Sequence, residues 1–414
     1  MSKISQVSPL GAMSDANKIV FHIIANAALG TGLSGGDRIF IECARRWAVQ
    51  GHDVCVYVWE EGYEMCKRNK LDNVEYVIWS TARYKRLGFA GLYAVRTIKG
   101  LIDALLKIHI PKTQRVVVYS ASEFLMDSIP AWIIKMRNGY VKWIAGFYLF
   151  APNPFNGHAY RGRRFIRGLF YYLSQWLIYW QVKKYADMVF VTNELDRWKF
   201  IDGERLTPEK VVAVRGGVDT KTPLMIPEPK EKKFDAVFIG RFHPQKGVLE
   251  LIDIWKYVCE KRPGAKLAMI GIGDLESEAR EKIEEYGLEN SIILFGFKDG
   301  IEKIKIFKES AMVLYPAVLD HWSMAPVEAM ACGLPLITFD LTTLRVLNPK
   351  GVVKVPCYDL NAFARAIVDL LEDEKLRGTL QKEALEFARK WDWDKRADEL
   401  LKAMMFLYKQ SVVK

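Results

Sequence analysis

Short apolar runs alternate with amphipathic stretches along most of the chain. Lys18–Ala25 (KIVFHIIA) is unbroken and rich in β-branched residues, the pattern of a strand buried on both faces. A glycine-rich stretch, Leu29–Asp37 (LGTGLSGGD), follows it. Arg38–Gln50 then carries Ile39, Ile41, Ala44, Trp47 and Ala48 at helical spacing, and Gly51-His52-Asp53 opens a second strand at Val54–Trp59. Further strands are expected at Val74–Ile78, Arg115–Tyr119, Val141–Gly146, Met188–Thr192 and Val211–Val214, with helical stretches between them. The second half repeats the rhythm. Strands are expected at Phe234–Ile239, Lys266–Gly273, Ile292–Gly296 and Ala311–Tyr315, and helices at Val248–Lys256 and Ile301–Glu309. Regular alternation of this kind predicts an α/β fold of parallel sheets covered on both faces.

Length then divides the pattern in two. A chain of 414 residues, half of them hydrophobic, exceeds one ordinary core and suggests two domains of similar size. Pro223, Pro227 and Pro229 stand among charged residues in 220–233, which reads as a linker between a domain at 1–219 and one at 234–390. A helical region follows at 391–414.

Chemistry concentrates where strands meet loops. In Leu314–Asp340 an apolar strand end leads through a polar loop to a helix expected at Pro326–Cys332, stopped by Gly333. A loop aimed at a helix N-terminus can receive an anion, and Asp320 and Glu328 flank it. Gly240-Arg241-Phe242-His243-Pro244-Gln245-Lys246-Gly247 follows another strand and holds two cations between glycines, an arrangement suited to a diphosphate. Gly35 and Gly36 would let backbone approach a ligand at a third helix start.

These segments resemble the retaining glycosyltransferases of family four, of GT-B fold. Glu328-Ala329-Met330-Ala331-Cys332-Gly333-Leu334-Pro335 fits the family pattern throughout, and so does the spacing of Gly240, Arg241, Lys246 and Gly247. Val211–Asp219 is similar to the segment that closes the family's first domain. The resemblance implies two Rossmann-like doubly wound domains facing a central cleft, with the C-terminal helix crossing back to the first. It also implies a UDP- or GDP-linked sugar as donor and no cofactor or metal. By that likeness Arg241 and Lys246 would hold the diphosphate, Glu328 the ribose, and Asp320 with His321, Trp322, Ser323 and Met324 the sugar, while Gly240, Gly35 and Gly36 line the donor site. Two departures stand out. Asp320 replaces a glutamate, shortening its reach by roughly 1.5 Å, and His321-Trp322-Ser323 replaces a Gly-Phe-Gly-like loop. Relatives also carry a histidine that Gly146–Asn153 lacks, so Tyr148, Asn153 and His158 become the acceptor-side candidates.

Charge and composition narrow the partners. The net charge of +11 favours an acidic partner, whether nucleotide phosphate, anionic lipid or nucleic acid, and no nucleic-acid module accompanies it. Six cysteines without a CxxC pair read as reduced core thiols of a cytoplasmic protein, and no run is long enough to span a bilayer. Tyr160–Tyr185 departs from an ordinary soluble pattern: Arg161, Arg163, Arg164 and Arg167 precede a dense aromatic run that Lys183-Lys184 closes. One reading buries this helix through Phe170, Leu173, Leu177 and Trp180. The other lays it on a membrane surface, which admits a lipid-linked saccharide or a polyprenyl phosphate as acceptor and leaves a soluble saccharide open. Asp392-x-Asp394 has the letters of a metal-binding pair, yet sits at a helix start between tryptophans. The rival to an enzyme is a donor-binding or scaffold protein of the same fold that has lost turnover; an inverting or epimerising enzyme is a further alternative.

Overall fold

The computed structural model describes residues 2–4, 18–29, 33–110, 112, 115–151, 153–155, 163–214, 216–318, 324–341 and 350–409. They form two units, Met1–Gly216 with Trp393–Lys414, and Gly217–Asp392.

The first unit holds strands β1 (Ser2–Ile4), β2 (Ile19–Ile24), β3 (Asp53–Trp59), β4 (Glu75–Trp79), β5 (Arg115–Ser120), β6 (Lys142–Gly146), β7 (Met188–Val191) and β8 (Val211–Ala213). They lie in the order β1-β4-β3-β2-β5-β6-β7-β8, parallel except for β1, which pairs antiparallel with β4. Helices α1 (Gly35–Val49), α2 (Glu60–Arg68), α3 (Gly88–Leu106), α4 (Leu125–Arg137), α5 (Arg163–Tyr185) and α6 (Glu194–Phe200) connect them. Both faces of the sheet are covered, so β3 buries its last six residues without alternation.

The second unit contains α7 (Thr222–Met225), β9 (Ala236–Ile239), α8 (Val248–Lys261), β10 (Leu267–Ile270), α9 (Glu276–Glu285), β11 (Ile292–Gly296), α10 (Gly300–Lys308), β12 (Val313–Tyr315), α11 (Met324–Met330), β13 (Leu336–Phe339), β14 (Val352–Val355), α12 (Leu360–Glu372) and α13 (Glu374–Arg389). Its sheet runs β11-β10-β9-β12-β13-β14, parallel throughout. Residues 220–233, expected as a linker, lie within this unit. Lys308 on α10 donates to the carbonyl of Ile226 and pairs with Glu228 at 2.7 Å.

Two boundaries differ from the sequence expectation for local reasons. The strand expected through Gly273 ends at Ile270, because Gly271 takes φ +153° and turns the chain; a Cβ there would stand 1.9 Å from the Gly240 carbonyl oxygen. The helix expected at Pro326–Cys332 runs Met324–Met330. Its end tightens as Cys332 N–H bonds to Ala329 O and Gly333 N–H to Met330 O, and Gly333 at φ +82° releases the chain.

The last helix, α14 (Trp393–Lys409), belongs to the first unit. Trp393, Ala397, Leu400, Met404 and Leu407 join Phe40, Cys43 and Trp47 of α1 in one core. Trp47 donates its indole N–H to the Ala397 carbonyl at 3.1 Å, and Arg46 Nε meets Asp394 at 2.5 Å. Asp394 is therefore half of an ion pair, and Asp392 accepts from the Thr220 hydroxyl.

A buried polar knot fixes the end of β2. Asn26 donates to the Met126 carbonyl at 2.9 Å, Arg96 donates to the Asn26 carbonyl at 2.9 Å, and Ala27 N–H donates to Asp127 at 3.1 Å. Burial pushes the Asp127 carboxyl up to about 8, against the hydrogen bonds from Ser122 and the backbone that lower it. Its unfolded counterpart loses its proton near pH 4. The folded state thus binds more protons from about pH 4 to about 8, and this group's contribution to stability falls as pH rises through that window. Asp127→Asn is expected to lose less stability than the native chain between about pH 5 and about pH 8, read from urea unfolding at successive pH values. Leu400→Ala, which opens a cavity between α1 and α14, is expected to cost about 2–5 kcal/mol in the same assay.

Candidate functional site

In each sheet one pair of neighbouring strands marks where the order reverses: β9 and β12 in the second unit, β2 and β5 in the first. Connections leave such a pair toward opposite faces, so space opens beyond the carboxyl ends of the strands, where open α/β sheets take ligands.

In the second unit, the loop after β9 carries Gly240, Arg241 and Lys246, and the loop after β12 begins at Pro316. The two loops touch. Val318 N–H donates to the Gln245 carbonyl at 3.1 Å, and Gly247, at φ +66°, brings the backbone so near that a Cβ would lie 2.0 Å from the Pro316 carbonyl oxygen. Only glycine fits there. Lys246 donates to the hydroxyl of Tyr315, the buried last residue of β12, at 2.5 Å. This bond fixes the ammonium across the junction of the two strands. Arg241, in the same loop, is exposed, and Gly240 packs against the Phe238 ring, 3.1 Å from where its Cβ would be.

Glu328 lies on α11, mostly buried, and pairs with Lys303 of α10 at 2.9 Å; Lys303 also pairs with Asp299 at 2.7 Å. Lys303 holds the carboxylate in place. Lys303 and Tyr315 are contributors the motif reading missed. The spacing of Asp299 and Lys303, four apart at the start of a helix, and the place of Tyr315 at a strand end were the available signals. Met324 is the first residue of α11. Asp320, His321, Trp322 and Ser323 lie outside the described residues.

In the first unit, a pocket of about 620 Å³ stands at the reversal point. Ser34 caps α1 in a reciprocal box with Asp37, and Gly35 and Gly36 start the helix at the pocket wall. Gly36 also makes room for Tyr148, whose ring atom Cδ2 would be 3.0 Å from an added Cβ. Tyr148 offers its ring to the pocket, since its hydroxyl is engaged with that of Tyr119. Glu123, in the loop after β5, accepts from Tyr148 N–H at 3.1 Å and from the Tyr171 hydroxyl at 2.8 Å. Burial raises the pKa of both Glu123 and Asp37, and the charge of Asp37 raises that of Glu123 further. Glu123 was not singled out from sequence; its position just beyond a central strand was the only cue. Asn153 accepts from Phe155 N–H at 3.0 Å in a local turn and is not part of the pocket lining, and His158 lies outside the described residues.

Helix α5 corrects the packing face expected from its sequence. Phe170, Leu173, Leu177 and Trp180 are exposed, whereas Gln175, Ile178, Gln181 and Val182 are buried. The aromatic spacing was right for a helix and gave no means of telling which stripe met the sheet. No helix among the described residues is long and apolar enough to cross a membrane.

Comparison with known proteins follows the same division. Residues 224–387 match the family described as Glycosyl transferases group 1. The poly(glycerol-phosphate) alpha-glucosyltransferase of Bacillus subtilis (strain 168) is 24% identical over 225 residues, 51% of this chain and 33% of that protein. The phosphatidyl-myo-inositol mannosyltransferase of Mycolicibacterium smegmatis is 26% identical over 219 residues, 51% of this chain and 55% of that protein. The chain thus spans between a third and just over half of these relatives. A crystal structure of Anabaena HepE in complex with UDP and glucose is 14% identical, with a TM-score of 0.65 over 93% of this chain and 99% of that one. At that identity the likeness gives the fold. Residues 224–387 thus resemble a group 1 glycosyltransferase domain, and the chain has the GT-B fold.

Proposed function

We propose that the chain is a retaining hexosyltransferase that uses a UDP- or GDP-linked sugar and needs neither cofactor nor metal. The observation that supports this reading is that Arg241 and Lys246 follow β9 and Glu328 follows β12, the two strands at which the order of the second unit's sheet reverses. When a nucleoside diphosphate leaves a sugar, negative charge grows on the β-phosphate, and cations fixed beforehand stabilise that charge most where it develops. Lys246, held by Tyr315, and Arg241 fill that role and supply the positive charge a divalent ion would otherwise bring. Glu328, oriented by Lys303, accepts hydrogen bonds from the ribose hydroxyls. Asp320 and the 321–324 segment bind the sugar.

The acceptor, a saccharide either free or lipid-linked, binds the first unit at Glu123, Asp37 and the Tyr148 ring. Its hydroxyl oxygen forms the new bond to the anomeric carbon on the side from which the diphosphate departs. The carbon–phosphate-oxygen bond breaks, and the hydroxyl proton passes to the leaving diphosphate, so the anomer is retained without a protein nucleophile. Six cysteines without a disulfide support a reducing, cytoplasmic setting.

The test is nucleoside-diphosphate release from a panel of UDP- and GDP-sugars, with and without EDTA, followed by NMR of the product anomer. One donor is expected to turn over equally with EDTA and to give the donor's own anomer. Lys246→Ala is expected to lower kcat by about 10²–10³-fold, and Glu328→Gln to raise KM for the donor while leaving the fold intact by circular dichroism. Donor binding without turnover under every condition overturns the enzyme reading in favour of a donor-binding protein. An inverted product overturns retention alone.

A further inference from the structure

Helix α5 has two faces with different neighbours. Gly168, Phe170, Tyr171 and Ser174 on one side close the pocket of the first unit. On the other, Ile166, Phe170, Leu173, Trp176, Leu177 and Trp180 are between 47% and 72% exposed, though all are large and apolar. Five of them, at 166, 170, 173, 177 and 180, alternate steps of four and three, which keeps them on one line along the helix. A contiguous apolar stripe of this length marks an interaction surface rather than scattered surface residues.

The charges say what covers it. The 23 residues of α5 include Arg163, Arg164 and Arg167 at one end, Lys183 and Lys184 at the other, and no acid between them. Lys184 lies 5.1 Å over the Trp180 ring, so its ammonium stands at the edge of the stripe. A second copy docked through α5 in either direction would set cations against cations. An anionic lipid surface satisfies both features: aromatic and aliphatic side chains enter the head-group boundary while the basic ends meet lipid phosphates.

The pocket is graded in the same direction. Its inner wall presents Asp37, Glu123 and Ser122, and its outer rim presents Leu29, Leu149 and Phe170, each more than a third exposed. Its described lining residues include no Lys or Arg, and sugar hydroxyls find carboxyl acceptors and aromatic rings there. Phe170 belongs to both surfaces.

We propose that α5 rests on an anionic membrane face and loads an amphiphilic acceptor from it, the hydroxylated head entering the pocket and the hydrocarbon chain leaving along Phe170 into the lipid. This deepens the transferase reading and rests on it for the word acceptor; the membrane contact stands independently.

The experiment uses the full chain and three readouts. Flotation with vesicles of phosphatidylcholine alone, and with phosphatidylglycerol added, is expected to recover the protein only with the anionic vesicles, and less at high salt. The double substitution Trp176→Glu and Trp180→Glu alters exposed positions outside the pocket. It is expected to lower vesicle binding by about tenfold or more while leaving thermal unfolding and donor turnover in the absence of vesicles unchanged. In calorimetric titration, dodecyl glucoside below its micelle concentration is expected to bind the native chain about tenfold more tightly than methyl glucoside. Phe170→Ala is expected to narrow that gap. The proposal is overturned if anionic vesicles do not recover the native chain, if the double variant binds them equally, or if both glucosides bind alike. Sedimentation showing a dimer that the double variant dissolves overturns it in favour of a second copy. Absence of donor turnover with vesicle binding intact removes the transferase reading and leaves the membrane contact standing.

Discussion

A parallel sheet must reverse its strand order somewhere if both faces are to be covered, and at that reversal nothing in the fold fills the space beyond the strand ends. Both units of this chain accept that constraint once, at β2–β5 and at β9–β12. The residues with chemistry to offer stand around those two gaps. Lys246, Tyr315, Asp37 and Glu123 are far apart in sequence, and each closes a strand or lies in the loop or first helical turn that follows one. The backbone decides where a ligand can enter, and the side chains decide which.

The two gaps are built for different electrostatics. In the second unit the carboxylate of Glu328 meets Lys303, and the loop after β9 carries Lys246, fixed by Tyr315, and an exposed Arg241. In the first unit Glu123 and Asp127 are buried and Asp37 is half-buried, and burial raises all three carboxyls. A carboxyl whose pKa burial raises takes up a proton more readily than an exposed one, and in that form it donates as well as accepts a hydrogen bond.

Much of this was legible beforehand, for reasons that are local. Apolar runs such as Lys18–Ala25 can only be buried strands, and Gly247 sits where any side chain would strike the Pro316 carbonyl, so motif and geometry coincide. Pairings across the sheet were not legible. Lys303 meets Glu328 from 25 positions away, Tyr315 meets Lys246 from 69, and Glu123 gains its role only when α5 brings Tyr171 to it from 48. Periodicity is blind to these contacts, because it reports that a helix has faces and leaves open what each face meets.

That blindness is sharpest in α5. Phe170, Leu173, Leu177 and Trp180 form as regular an apolar stripe as any core helix, and hydrophobicity alone would bury them. The sheet is instead met by Ile178 and Val182, with Gln175 spending its amide on Ala151 N–H at 2.7 Å and the Leu149 carbonyl at 2.7 Å. Those two bonds hold the loop after β6 and thereby fix which way the helix turns. A helix with two apolar faces and one set of polar anchors can satisfy only one face with protein. The other is left for an environment the chain does not itself supply.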